Sequence, residues 1–238
     1  MTLDKILASL FPGGHDVAVR DGLVIGSGPF AAGRIHVVGV DGDTPLGVDG
    51  ALVLSRAMLD AVRSGDRAPI LVVVDSDSQR MSRRDELLGL NECLAHLAKT
   101  VLLADRSGHP TVGLIYGHSA AGAFIATALA TRVLAALPGA NPSVMDLPSV
   151  ARVTKLPLEK LQDMAKSTPV FAPGLDNMVA TGAVHAVLDP GKPLDGQIRD
   201  LIDTLPPGDV RDRLGEERGG RPVARAVAEA VTDQARLD

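Results

Sequence analysis

Residues 112–127 read VGLIYGHSAAGAFIAT, with Gly117, His118, Ser119, Ala120, Ala121 and Gly122 at the centre. An imidazole and a hydroxyl among residues with almost no side chain suit two chemistries. The first is nucleophilic. An apolar strand, a G-x-S turn and a small-residue helix form the layout of a nucleophile elbow, as in an α/β-hydrolase-like serine hydrolase using Ser119. Such an enzyme places its histidine after the serine, and only His185 follows, with Asp146 or Asp176 available as the third member. His185 lies in the alternating run AVHAVLD, which reads as a strand-face histidine. The fifth elbow position is Ala121 rather than Gly, and no Gly-rich oxyanion loop stands near the first strands.

The second chemistry uses the backbone alone. A tight turn at a helix start points free N–H groups outward, and Gly, Ser and Ala leave them unshielded. A nucleotide phosphate is a poor occupant, because no Lys-Ser/Thr follows the turn and no G-x-G-x-x-G is present. An enolate oxygen needs only two N–H donors, small side chains and a dry pocket.

These residues have to be held by a sheet. Two β-like runs, 16–25 and 34–40, stand on either side of the turn-rich Gly26-Ser27-Gly28-Pro29, too close for a crossover helix, so antiparallel pairing is expected. A helix is expected over 49–63, capped by Asp49 and ended by Ser64-Gly65. Pro69 introduces ILVVVD, a β-branched run suited to a strand covered on both faces. Ser82-Arg83-Arg84-Asp85 resembles a capping box, and Leu87, Leu90, Leu94, Leu97 and Val101 continue as one helical stripe. TVGLIY is the next buried strand, and a helix of Gly, Ala and Thr is expected over 122–131. Short strands at 132–137, 143–145 and 183–188 and helices at 158–166 and 197–205 complete the compact part. Residues 211–221 read as a solvated loop, and 222–237 as a final helix with Val223, Val227, Ala230 and Val231 in one stripe.

Composition narrows the function. The chain of 238 residues has no Trp, one Tyr and four Phe, so it lacks the stacking platforms of a single-strand nucleic-acid binder. A net charge of −5 without a basic run argues against a phosphate backbone as partner. Cys93 is the only cysteine, which excludes a disulfide framework, and it reads as a reduced thiol facing Leu90, Leu94 and Leu97. The six His show no ligand spacing, so no metal is expected. The N-terminal apolar patch lacks a cleavage signal and no run is long enough for a bilayer, so a cytoplasmic protein without membrane contact is expected.

Within residues 70–156 an ordered set of short motifs stands out: Asp75-Ser76-Asp77-Ser78-Gln79 after the strand, Glu86-x-x-Gly89, Gly108-His109-Pro110, the Gly117–Gly122 segment, Ala136-Leu137-Pro138-Gly139-Ala140 and Val144-Met145. In order and spacing, this set closely resembles the carboxyltransferase branch of the crotonase superfamily, and within it the gamma subunits of malonate decarboxylase. The resemblance covers residues 15–205. Relatives favour D-T-P-G after the strand and Ser before the last Gly of the turn, where this chain has Asp75-Ser76-Asp77-Ser78 and Ala121-Gly122.

The resemblance implies an α/β, crotonase-type (ClpP/crotonase-like) domain of repeated ββα units over 1–205, followed by a polar loop and C-terminal helix over 206–238. It implies a carboxy-lyase subunit that decarboxylates a malonyl thioester on an acyl carrier protein to the acetyl thioester through an enolate. The thioester would ride on a CoA-like prosthetic arm, with no cofactor bound directly. Implied partners are a second crotonase-like (beta) subunit, the acyl carrier protein and an acyl-transferase (alpha) subunit. Carried over by residue, Ser119 and Ala120 are the backbone oxyanion donors, while Gly117, Ala121, Gly122, Ser76 and Gln79 contact substrate. His118 would protonate the carbanion, orient the carboxylate or line the pocket. Arg80, Arg83 and Arg84 are a candidate patch for docking the carrier.

Overall fold

The computed structural model describes residues 1–169 and 172–236. In chain order the elements are α1 (Leu3–Leu10), β1 (Ala18–Arg20), β2 (Leu23–Phe30), β3 (Gly33–Val40), α2 (Val48–Ser64), β4 (Ile70–Ser76), α3 (Arg83–Leu87), α4 (Leu90–Arg106), β5 (Thr111–Ala120) and α5 (Ala121–Ala126). After a 3-10 turn at Ala128–Ala130 come β6 (Val133–Ala136), β7 (Asn141–Ser143), α6 (Leu147–Thr154), α7 (Leu158–Ala165), α8 (Leu175–Ala180), β8 (Ala186–Val187), α9 (Leu194–Asp203), α10 (Arg211–Glu217) and α11 (Ala224–Ala235).

One sheet runs in the order β1-β2-β3-β4-β5-β6-β8, and β7 pairs with β5. The β1–β3 lead-in is antiparallel, as expected, and every pairing from β3–β4 onward is parallel. β5 is central. β4 lies along one side of it, while β6 and then β7 follow one another along the other. The β4 run ILVVV is fully buried because helices cover both faces. Even positions such as Val72 and Val74 pack with α2, α4 and α5, and odd ones such as Leu71 and Val73 pack with α1 and α9. This is the α/β class expected.

Several local expectations need correction. Residues 16–25 are not one strand: Asp21 and Gly22, both at positive φ, turn the chain between β1 and β2. The Gly26–Pro29 segment is inside β2, and the reversal falls at Ala31, which also has positive φ. α2 is capped by Gly47 rather than Asp49, although Gly65 ends it in the left-handed conformation as expected. The Leu stripe breaks at Gly89, whose φ of 79° separates α3 from α4. Leu90, Leu94, Leu97 and Val101 are buried, whereas Leu87 is 76% exposed. Cys93 is a free, partly buried thiol against the same core. The 143–145 strand lies earlier, as β7, and 183–188 shrinks to β8.

Residues 211–221 are not a solvated loop. They carry α10, with Gly215 buried and Arg218 donating to the carbonyls of Val179, Val184 and His185. α1, α6 and α8 were not expected. The final helix is α11, with Val223, Val227 and Val231 all exposed, and Leu237 of the expected helix lies outside the described residues.

Ser82 caps α3 as expected, but the reciprocal half of a capping box is not made: the Ser82 N–H goes to the Arg80 carbonyl, and the Asp85 side chain turns elsewhere. Ser82 accepts from the Asp85 N–H, and the Asp85 carboxylate, 1% exposed, takes two bonds from Arg80 and one from the Val48 N–H. It thereby ties the start of α2 to the loop after β4. Arg80, then Ser82 and the Val48 N–H, hold this carboxyl well below the usual carboxylate range. A depressed folded pKa contributes stability above the unfolded value and loses it as pH falls through about 4 and below. Asp85→Asn is expected to lower the urea midpoint at pH 7 and to flatten the loss of stability on acidification below about pH 4, measured by circular dichroism.

Candidate active site

The Gly117–Ala120 segment is not a turn. It is the last part of β5, and the chain reverses one residue later, at Ala121, with φ 50°. The site depends on how β5 passes β4. Val74 pairs with Ile115 and Ser76 with Ser119, so Asp75 alone stands opposite Tyr116, Gly117 and His118. β5 therefore bulges, and a bulge leaves a backbone donor without its ladder partner. The Asp75 carboxylate fills that place: its Oδ1 accepts from the His118 N–H at 2.9 Å. A Cβ on Gly117 would lie 2.1 Å from this oxygen, so Gly117 is needed for close approach and not for a turn.

Of the expected donors, Ser119 is paired on both sides, with Ser76 of β4 and with β7, while Ala120 is paired with β7 alone. Immediately past that ladder, the Gly122 N–H reaches the Gln79 Oε1 at 2.8 Å. Gln79 is carried there by a loop pinned to Leu46 through the Leu46 N–H to Ser78 carbonyl and Arg80 N–H to Leu46 carbonyl bonds. Ser76 is fully buried and donates to the Thr44 carbonyl. The structure thus leaves Gly117, His118, Ala121, Gly122 and Gln79 partly exposed around the end of β5, joins Gly122 to Gln79, and buries Ser76 and Ser119.

The side chain of His118 is 35% exposed, with Nδ1 3.2 Å from Asp43 Oδ1 and 3.9 Å from Asp77 Oδ1. The sequence reading gave no role to Asp43, which sits in the loop between β3 and α2, or to Asp77. A signal existed only in part: Asp75 and Asp77 stood in a quoted motif, but nothing in the sequence set Asp43 beside His118. Of the three arginines considered for carrier docking, Arg80 and Arg84 are engaged by Asp85 and Asp49. Cavities of 660 Å³ beside α2 and 620 Å³ beside α8 and α10 exclude residues 117–122 from their linings.

The hydrolase arrangement is not assembled. Ser119 is fully buried and its Oγ has no hydrogen-bond partner. His185 Nδ1 accepts from the Leu134 N–H, and burial, reinforced by nearby Arg211, pushes its pKa down to about 4. Asp146 caps α6 through the Ser149 N–H. Two substitutions separate the backbone role from the side-chain role. Gly117→Ala is expected to expel the Asp75 carboxylate and cost about 2 kcal/mol in chemical denaturation, because a half-buried N–H loses its acceptor. Ser119→Ala removes an unpartnered hydroxyl and is expected to be neutral or to stabilise by up to about 1 kcal/mol, with no fluorophosphonate labelling of the parent chain at Ser119.

Residues 42–235 match the family model described as malonate decarboxylase gamma subunit. The malonyl-S-ACP:biotin-protein carboxyltransferase MADD of Malonomonas rubra is 29% identical over 186 residues, 71% of this chain, and the chain spans 63% of that protein's length. Among solved structures, a Pseudomonas malonate decarboxylase hetero-tetramer in complex with coenzyme A superposes with a TM-score of 0.80 at 22% identity, covering 100% of both chains. The Pseudomonas MdcD-MdcE hetero-dimer gives 0.73 at 22% identity over 95% of this chain and 98% of that one. The transcarboxylase 12S gives 0.69 at 15% identity over 86% of this chain and 42% of that one. These structural likenesses establish a carboxyltransferase-type crotonase fold, and with the family match spanning most of its length, the chain belongs to the malonate decarboxylase gamma subunit family.

Proposed function

We propose that this chain is one subunit of a complex that decarboxylates a malonyl thioester, carried on the CoA-like arm of an acyl carrier protein, to the acetyl thioester. The bond between C2 and the carboxylate breaks, CO₂ leaves, and the electron pair passes onto the thioester as an enolate. The developing charge is on the thioester oxygen, and backbone N–H donors there are worth about 3 to 4 kcal/mol each in barrier. The supporting observation is the Gly122 N–H. It lies on the partly exposed face at the junction of β5 and α5, and its acceptor is the neutral amide oxygen of Gln79 at 2.8 Å. That oxygen stands in for the thioester oxygen, which takes its place when substrate enters. Ser119 and Ala120, in the paired end of β5, set the position of the junction, and Gly117 allows the bulge below it.

A second crotonase-type subunit supplies the rest of the site. The 117–122 surface supports this, because it is partly exposed and lies outside the cavities beside α2 and beside α8 and α10. The acyl carrier protein and an acyl-transferase subunit complete the assembly and deliver the malonyl group. No helix among the described residues is long and apolar enough to cross a membrane.

The test is a malonyl-thioester assay of this chain alone and after co-expression with a crotonase-type partner. Turnover is expected only in the mixture, and full turnover by the isolated chain would refute the heteromeric arrangement. Gly122→Ala places a Cβ 3.1 Å from Gln79 Oε1, where the thioester oxygen must sit. It is expected to leave the fold intact and cut the rate of the mixture at least tenfold, about 1.4 kcal/mol in barrier. Unchanged turnover by the folded variant would remove the oxyanion assignment.

A further inference from the structure

Decarboxylation leaves C2 short of a proton, and one ring on the proposed reaction surface is held as a proton donor would be. The His118 backbone is fixed by the Asp75 carboxylate, and its ring Nδ1 lies 3.2 Å from Asp43 Oδ1. Nε2 has no hydrogen-bond partner among the described residues. Side chains two apart share a face of a strand, so the ring stands on the same side of β5 as Ala120, the residue before the junction.

Asp43 does not reach His118 by accident of a loose loop. Gly42 and Asp43 have φ of 70° and 54°, two successive left-handed residues, a conformation that Asp adopts more readily than most side chains. The loop is clamped on both sides of this bend. Thr44 Oγ1 donates to the Asp41 carbonyl at 2.7 Å, and the buried Tyr116 hydroxyl donates to Asp41 Oδ1 at 2.6 Å. The charged groups around the ring are therefore Asp41, given to Tyr116; Asp75, given to the His118 N–H; and Asp43 and Asp77, which face Nδ1. Among the described residues neither Asp43 nor Asp77 forms an ion pair with a Lys or Arg.

We propose that Asp43 is a positioning residue that holds His118 by Nδ1, so that Nε2–H delivers the proton to C2 after CO₂ has left. This rests on the decarboxylase reading above. In the step, the enolate's electron pair forms the new C2–H bond, the Nε2–H bond breaks, and the ring becomes neutral with its remaining proton on Nδ1 toward Asp43. Water returns a proton to Nε2, so each turnover consumes one proton and releases one CO₂.

Two measurements test the assignment. In the full chain labelled with ¹⁵N-histidine, NMR at a pH where the ring is neutral is expected to show the Nδ1–H tautomer for His118, and Asp43→Asn is expected to lose that preference. In the active complex, Asp43→Asn is expected to lower kcat at least tenfold with KM within twofold, as expected for loss of an oriented acid. Asp77→Asn, which removes the same charge without the 3.2 Å bond, is expected to cost less than threefold. Asp43→Asn combined with His118→Gln is expected to be no slower than His118→Gln alone. An active wild-type complex unaffected by Asp43→Asn would overturn the inference and leave the decarboxylase reading standing. An inactive wild-type complex would overturn both, even if the tautomer is as expected. Loss of activity on chelation with recovery on Mn²⁺ or Zn²⁺ would assign Asp43, Asp77 and His118, whose ligand atoms lie within 4.8 Å of one another, to a cation and overturn the proton-delivery role.

Discussion

The carboxylate of Asp75 does for β5 what a neighbouring strand cannot. At the end of β4 the two strands fall out of step, one residue facing three, and the His118 N–H would be left without an acceptor in a half-buried place. An unsatisfied backbone donor costs as much as a lost hydrogen bond, often more than the bond itself is worth when made. Asp75 supplies the acceptor from the side chain of the facing strand, and Gly117 supplies the room, because any Cβ would occupy the space of the carboxylate. From this single arrangement follow the release of His118 from pairing with β4, the re-entry of Ser119 beside Ser76, and the reversal at Ala121 that presents the Gly122 N–H.

The opposite wall of the surface is set by a second carboxylate. Asp85 is buried, yet it is fully used by Arg80, Ser82 and the first turn of α2. Such a group is tolerated in a core because every lone pair has a partner, and it fixes geometry more than it adds net stability. Here the geometry fixed is that of the loop bearing Gln79. The loop is stitched to Leu46 on one side and to α2 through Asp85 on the other, so the amide that meets Gly122 is carried on rigid elements. Two unrelated stretches, one after β4 and one after β5, are thereby held at hydrogen-bond distance around a common face. The fold beneath needs only ordinary means: a β-branched strand run buried on both sides and helices with one apolar stripe.

The sequence by itself determined the class of fold and the neighbourhood of the site. The β-branched ILVVV and the run TVGLIY read as strands buried on both faces, Ser64-Gly65 and Ser82-x-x-Asp85 mark helix ends by local chemistry, and the small residues at 117–122 advertise accessible backbone. These signals are local, since propensity, capping and periodicity act within a few residues. What failed was also local in appearance. Leu87 kept the helical spacing but lost its burial, because Gly89 in the left-handed region re-aims the helix; Gly117 read as a turn because glycine marks turns and close approaches alike.

Only the tertiary structure decided which glycine use applied, since the answer lies in a carboxylate 42 residues away in the chain. The same holds for Asp43, brought to 3.2 Å from His118 across 75 residues by the pairing of β3, β4 and β5. It holds for Ser119 as well, whose hydroxyl suggests a nucleophile in the sequence and is buried without a hydrogen-bond partner in the fold. Hydrogen-bond satisfaction and burial are settled by residues that meet after the chain has closed, and a strand register two residues longer on one side than the other leaves no mark on either strand's own sequence.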